Sequence, residues 1–207
     1  MPFMAKSKIR RNTSMASLST LHQDGDVSLD KLANNLRKHH FEQDKFSKHG
    51  NRDICMHAGG LTRPSQTCGS MIATLSKRYA PEIMLTATSA ACLSLFKPIN
   101  FDFSSHYSWL TEEDQNIENS FWVQYERVHR LALQDLSFRR QLVCSRDELE
   151  NHLMNLRKNG ISVTGANNLS KEWHQQWQSN ALESVPVYSL LKPYDRYWKR
   201  LNNLDGL

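Results

Sequence analysis

Residues 53–75 constrain the fold of this chain more than any other part of its sequence. The apolar run Ile54, Cys55 and Met56 is followed by small residues at 58–60, and a second run rich in small residues spans 67–72. Small residues inside a strand indicate that another backbone or a ligand comes close. We therefore predict two buried strands joined by a polar turn at 63–65, as in the interior of an enzyme.

Further strands are predicted directly after this stretch. Residues 83–87 and 93–96 have the composition of strands, and residues 88–92 are predicted to be a small-residue loop or a strand. Pro98 is expected to end the second strand because proline has no N–H group for a ladder bond. Strands in close succession, joined by short turns, favour an antiparallel sheet.

Helices are predicted on both sides of these strands. Upstream, apolar residues recur at helical spacing from Leu29 to Leu36, with Ser28 as the N-cap. Downstream, a polar loop is predicted at 104–115 and an extended segment at 185–191. Apolar stripes predict four more helices, at residues 119–135, 147–158, 170–178 and 194–203. This order indicates an α+β fold, with helices packed on one face of the sheet.

Charge and hydropathy argue against two classes of partner. The net charge is +5, but the basic residues are scattered and not interleaved with aromatic residues, so we predict no nucleic-acid partner. No window approaches the roughly 20 apolar residues of a membrane span, so we predict no membrane partner. Residues 1–26 lack periodicity and a secretory signal core, and we predict a disordered basic, serine-rich leader before a domain at 27–207.

The cysteines and histidines do not follow a known metal-binding spacing. The four cysteines are dispersed, which favours free thiols in a cytoplasmic protein over a disulfide framework. The spacings of His39, His40, His49 and His57 differ from those of a zinc site, and no HExxH motif is present. We therefore predict no metal site and no cofactor.

Four parts of the chain together resemble the C-terminal half of the secernin-like dipeptidases, peptidase family C69 of the N-terminal nucleophile hydrolases. These parts are DICMH at 53–57 with QTCGSM at 66–71, the segment 86–98, the segment 122–130 and the segment 197–202. The resemblance covers about residues 27–207. It implies a four-layer αββα sandwich, of which this chain would supply roughly the second half.

The chemistry of that family rests on a cysteine at the mature N-terminus, whose own α-amine acts as base. This sequence begins Met1-Pro2-Phe3, and no cysteine precedes Cys55, so we expect no catalytic residue here. The resemblance places Cys55 in a core strand, where it is expected to pack and not to act as a substitute nucleophile. Cys68 is likewise expected to pack.

The resemblance therefore implies part of a cysteine dipeptidase or amidohydrolase that acts on peptide or similar amide bonds and is inactive alone. Its expected partners are a complementary N-terminal half or further copies of itself, since half of a sandwich should leave one sheet face uncovered. The alternative is a catalytically dead remnant, or pseudoenzyme, that acts as an interaction or binding protein.

His57, Arg63 and Thr67 are the candidate substrate-binding residues. His57 is expected at the end of a strand near a cleft, and Arg63 has the guanidinium fork that holds a substrate carboxylate. Packing at a strand end and in a turn explains them as well, and we favour it for His57 and Arg63. Glu126 and His129 are predicted to form a surface or interlayer pair. Trp173 and Trp177, one helical turn apart, are predicted to form a docking face.

Overall fold

The computed structural model describes residues 5–40, 46–48, 50–78, 81–99, 120–159, 162–184 and 192–206. Within these residues the fold is α+β, with six α-helices and one three-stranded antiparallel sheet. The chain divides into two compact units. The first comprises Met1–Cys68, Ala90–Cys92 and Val187–Leu207, and the second comprises Gly69–Ser89 and Leu93–Pro186.

The first unit contains the helices α1 (Ser7–Gln23), α2 (Leu29–Leu36) and α6 (Pro193–Asp205). Helix α2 lies where its apolar spacing predicts it. Ser28 occupies the N-cap position with an extended backbone, but its side chain makes no capping hydrogen bond. Helix α6 has its proline in the first turn and ends at Gly206, whose φ of 68° is the left-handed conformation common after helices.

Helix α1 lies in the segment for which the sequence predicts a disordered leader, so that prediction is wrong for Ser7–Gln23. No residue of α1 is buried, and an amphipathic pattern is therefore missing. Polar contacts join the helix to the residues around α2. Asn35 Nδ2 donates to Ser14 Oγ at 3.3 Å, and Lys38 Nζ donates to Ser17 Oγ at 2.5 Å.

The sheet belongs to the second unit and has the order β1-β2-β3, with β1 at Met71–Thr74, β2 at Glu82–Leu85 and β3 at Lys97–Ile99. Both pairings are antiparallel. Pro98 lies inside β3 opposite Met84 and does not end a strand as predicted. It is tolerated because β3 is an edge strand of this sheet, where a missing N–H need not interrupt a ladder.

The predicted strand at 93–96 is wrong, because pairing begins only at Lys97. Ala87 and Ala90 have φ angles of 52° and 61°, in the left-handed region that a strand cannot use. They turn the chain between β2 and β3, so that β3 begins later in the sequence than predicted.

The predicted strand at residues 54–56 is also wrong, because this run has no regular secondary structure. Its N–H groups are used in another way. The N–H groups of Ile54 and Cys55 both donate to Lys38 O, at 3.1 and 3.2 Å, and that of Met56 donates to the hydroxyl of Thr67. In a regular ladder neighbouring N–H groups point to opposite sides of the strand, so two neighbouring donors on one carbonyl indicate an irregular backbone.

Three helices follow the sheet in the second unit, α3 (Phe121–Gln134), α4 (Leu136–Lys158) and α5 (Val163–Leu182). The last two begin earlier than predicted because side chains cap them. Asp135 Oδ1 accepts from the N–H of Phe138 at 3.0 Å, and Ser162 Oγ accepts from the N–H of Gly165 at 3.1 Å. The predicted loop at 104–115 and extended segment at 185–191 lie outside the described residues.

Helix packing builds the core of the second unit. Helix α5 packs against β3 and α3, and α3 packs against α4. Trp173 and Trp177 are buried, and their Nε1 atoms lie 2.9 and 3.4 Å from Ser145 Oγ of α4. This pair therefore forms the face by which α5 packs on α4, in agreement with the predicted docking face. Among the described helices, none has an apolar stretch long enough to cross a bilayer.

Exposure in the sheet differs from that expected for half of a sandwich. Ile72, Met84 and Pro98 share one face and are buried. On the opposite face, Lys97 is buried at β3, whereas Met71 of β1 is 59% exposed. Apolar exposure is thus concentrated at the β1 side and does not extend over a whole face.

We expect Leu142→Ala to lower the free energy of unfolding by about 2–5 kcal/mol, because Leu142 of α4 is fully buried and truncation leaves a cavity. Urea denaturation followed by circular dichroism and tryptophan fluorescence measures the change. Leu136→Ala, at a residue of the same helix that is 39% exposed, is the matched control and should change it by less than about 1 kcal/mol. Equal losses in the two variants would contradict the packing described here.

Candidate functional site

Four side chains of the first unit, which we call the His57 cluster, converge on one point: His39, Cys55, His57 and Cys92. Their nitrogen and sulfur atoms all lie within 4.8 Å of one another. His57 Nε2 lies 3.1 Å from His39 Nε2, 3.8 Å from Cys55 Sγ and 3.2 Å from Cys92 Sγ. Three of the four residues are buried and His39 is half-buried.

Main-chain hydrogen bonds place Cys55 beside His39. Lys38, which precedes His39, accepts from the N–H groups of Cys55 and its predecessor. The carboxylate of Asp53 accepts from the N–H of His40 at 2.5 Å. The two segments are therefore fixed on both sides of the histidine, which holds its ring close to the thiol.

Thr67 joins the segment that carries Cys55 and His57 to the segment that carries Cys92. Its Oγ1 accepts from the N–H of Met56 at 2.9 Å, and its own N–H donates to the Met56 carbonyl at 3.0 Å. Its carbonyl accepts from the N–H of Ala90 at 2.7 Å. The Thr67 hydroxyl therefore helps to position the segment that carries Cys55 and His57.

The ring of Phe46 forms an apolar wall on the His57 cluster. It stacks on the ring of His57, with centroids 4.4 Å apart and planes at 22°, and it meets His39 edge-on at 5.8 Å. Phe46 itself is buried. This packing fixes the imidazole planes and excludes water from one side of the cluster.

The cluster favours the thiolate form of Cys55. Burial opposes ionisation of this thiol, but hydrogen bonds with Cys92, His39 and His57 outweigh burial and hold the pKa of Cys55 well below its ordinary value of 9.0. A thiolate is the form of cysteine that attacks carbonyl groups and binds metal ions.

Arg63 lies in a slot lined by glycines. Its Nη1 donates to Ser47 O at 2.7 Å, its Nη2 donates to Gly59 O at 3.1 Å, and its guanidinium lies 5.7 Å from the ring centre of Tyr194. A Cβ atom at Gly59 would lie 2.6 Å from Arg63 Nη2, and one at Gly50 would lie 2.6 Å from Arg63 Cδ. The small residues predicted to admit a backbone or a ligand thus admit the side chain of Arg63.

The structure joins His57 and Thr67 in one hydrogen-bonded frame and gives Arg63 separate contacts with main-chain carbonyls. A substrate-binding role for these three residues stays a prediction. Sequence reasoning missed His39 and Cys92 as neighbours of His57, because the four members of the cluster come from three separated segments. The prediction that Cys68 is packed is wrong, since its side chain is exposed.

A second group of titratable residues lies in α3 of the second unit. Glu126 Oε1 accepts from Arg130 Nε at 3.1 Å and lies 3.1 Å from His129 Nδ1. All three residues are buried, so a surface position for the Glu126 and His129 pair is wrong. Burial favours the neutral acid, but the charge and hydrogen bond of His129, with smaller effects of the nearby Ser89 and the charge of Arg130, lower the pKa of Glu126 to about 2.

Lys97 and His174 form a buried pair in the same unit. Lys97 Nζ donates to the carbonyls of Thr86 and Leu95 and lies 3.2 Å from His174 Nε2. Burial lowers the pKa of Lys97 to about 7, against the opposing charge of Glu150, and burial with the charge of Lys97 holds the pKa of His174 well below 6.5. Both side chains are fully buried, and the lowered pKa values mean that this site disfavours the charged form of each.

Comparisons of this chain with protein-family models, with curated proteins and with solved structures give no match.

We expect Gly59→Ala to lower the free energy of unfolding by about 1–3 kcal/mol, because the added methyl group displaces the guanidinium of Arg63 or the ring of Tyr194. Thermal and urea denaturation measure the loss. Gly69→Ala is the matched control, since its Cβ atom would meet nothing within 4 Å, and it should change stability by less than about 0.5 kcal/mol. A neutral Gly59→Ala variant would show that the slot is not closely packed.

Acid should destabilise the protein partly through Glu126. Its folded-state pKa of about 2 lies below the ordinary 4.5, so its stabilisation is complete above pH 4.5 and is lost as pH falls toward 2. The loss amounts to about 3 kcal/mol at about 1.4 kcal/mol per pKa unit. Urea denaturation across this pH range should therefore show a shallower decline for Glu126→Gln than for the wild type.

The control for this experiment is Glu183→Gln, because Glu183 is exposed at the end of α5. That variant should keep the wild-type pH slope. If Glu126→Gln also keeps it, the ion pairs of Glu126 do not contribute to acid stability.

Proposed function

We propose that this chain is the scaffold part of a cysteine amidohydrolase of the secernin-like dipeptidase type. In this proposal, its α+β fold is part of an αββα sandwich that acts in the cytoplasm on peptide or similar amide bonds. A separate segment or polypeptide supplies the nucleophilic cysteine and its α-amine.

One observation carries this proposal: two of the segments that resemble the family meet at His57. The segment 53–71 and the segment 86–98 are joined by the hydrogen bond from the N–H of Ala90 to Thr67 O. Cys92 of the second segment lies 3.2 Å from His57 of the first. Segments chosen by resemblance alone are thus direct neighbours in the fold, which supports their interpretation as parts of one site.

The cysteines of this chain are poor candidates for the missing nucleophile. Cys55 is fully buried, and its N–H group donates to Lys38 O, so it has no free α-amine to act as base. Cys144 is exposed, but a hydrogen bond to Glu148 raises the pKa of its thiol and disfavours the thiolate. Both observations support a nucleophile from another source.

We expect the purified chain to hydrolyse no dipeptide alone and to gain activity with a complementary segment. The experiment co-expresses it with the N-terminal segment of a secernin-like dipeptidase that begins with a Cys-Asp-Thr sequence, and measures amine release from a panel of dipeptides. Replacing that cysteine with serine should return the rate to background. Cys144→Ser in this chain is the control and should leave the rate unchanged.

Absence of both complex formation and hydrolysis would count against the proposal. Formation of a complex without hydrolysis would favour the second candidate, a catalytically dead binding protein. One observation favours this second candidate: Met71 of the edge strand β1 and the following Leu75 are 59% and 79% exposed. Exposed apolar residues on an edge strand are suited to association with another chain.

A further inference from the structure

We propose that the His57 cluster binds one zinc ion. Two cysteine sulfurs and two histidine nitrogens form a Cys₂His₂ donor set, which is common in structural zinc sites. Soft thiolate ligands disfavour calcium and magnesium, which prefer oxygen atoms.

The observed separations match tetrahedral zinc. Bonds of about 2.0–2.1 Å to nitrogen and 2.3 Å to sulfur place two nitrogens about 3.3 Å apart, and a nitrogen and a sulfur about 3.5 Å apart. The two Nε2 atoms of His39 and His57 are 3.1 Å apart, and the sulfurs of Cys92 and Cys55 lie 3.2 and 3.8 Å from His57 Nε2. The other donor separations are at most 4.8 Å, so side-chain shifts of about 1 Å or less complete the tetrahedron.

The surroundings favour a structural ion over a catalytic one. Four protein donors fill a tetrahedron and leave no position for water or substrate. Phe46 covers the imidazoles, Thr67 joins the segment of Cys55 and His57 to that of Cys92, and Lys38 O joins it to His39. An ion here cross-links residue 39, residues 55–57 and residue 92 within the first unit.

Charge balance also suits a buried ion. Binding of Zn²⁺ forms two zinc–sulfur bonds, and the thiols of Cys55 and Cys92 each give up a proton to solvent if not already ionised. Two thiolates neutralise the two positive charges of the ion, and the neutral imidazoles add none. The resulting site carries no net charge, so burying it avoids the cost of an isolated charge.

This zinc site does not depend on the proposed hydrolase kinship, and its test uses the chain alone. The full chain is purified without chelators, and its metal content is measured by mass spectrometry. We expect one zinc ion per chain. The reduced apoprotein loaded with Co²⁺ should show the visible bands of a tetrahedral ion and the charge-transfer band of cobalt–thiolate bonds.

Alkylation provides a readout that needs no variant. With zinc bound, iodoacetamide should modify the exposed Cys68 and Cys144 and spare Cys55 and Cys92, as mapped by peptide mass spectrometry. Burial alone slows alkylation of Cys55 and Cys92, so the two forms are compared in mild urea, where the buried thiols open transiently. Removal of zinc by a strong chelator should speed their modification, and equal rates with and without zinc would overturn the proposal.

Variants then test the individual ligands. Cys92→Ser and His39→Gln each remove one donor, and we expect each to weaken zinc binding more than about 100-fold, since losing an outer-shell partner alone costs 10–100-fold. Cys68→Ser and Cys144→Ser are matched controls and should bind as the wild type does. His39 is only half-buried, so its variant tests the ligand with the least disturbance of folding.

Three further outcomes would overturn the zinc site. One is a reconstituted chain that holds no zinc. Another is equal affinity in the wild type and the two ligand variants. The third is freshly purified protein in which Cys55 and Cys92 form a disulfide and no zinc is taken up after reduction.

Discussion

The His57 cluster in the first unit depends on two hydrogen bonds to the carbonyl oxygen of Lys38. This oxygen accepts hydrogen bonds from the N–H groups of Ile54 and Cys55, and the backbone is irregular at this point. The same contact brings His39 to Cys55 and aligns the following residues so that Met56 reaches Thr67. Together with the contacts of Asp53 and Thr67, it holds residues 53–57 where the donors of the His57 cluster converge.

The sequence predicts the class of the fold because class depends on patterns that repeat. Apolar spacing identifies α2, α3 and α6, and closely spaced strands indicate an antiparallel sheet. Individual boundaries depend instead on single side chains. Asp135 begins α4 well before its apolar stripe becomes regular, and the left-handed Ala87 and Ala90 postpone β3. Alanine has no sequence signature for that conformation, so the delay could not be predicted.

The candidate site is predicted less completely than the fold. Small residues at 58–60 do indicate a close approach, but only the structure identifies Arg63 as the group that approaches Gly59. Cys55 and His57 are two positions apart in the sequence. Their neighbours His39 and Cys92 lie 16 and 35 positions from Cys55 and His57 respectively, so only tertiary contacts can join them. Rules based on local ligand spacing therefore fail here.

The first unit is built from three separate segments of the chain, and this affects its folding during synthesis. This unit draws on Met1–Cys68, on Ala90–Cys92 and on Val187–Leu207, so its residues come from both ends of the chain. A ribosome that makes the chain from its N-terminus completes every residue of the second unit before it reaches the last part of the first. The second unit can therefore form while the first is still incomplete, and α6 joins the first unit only after every residue of the second has been made.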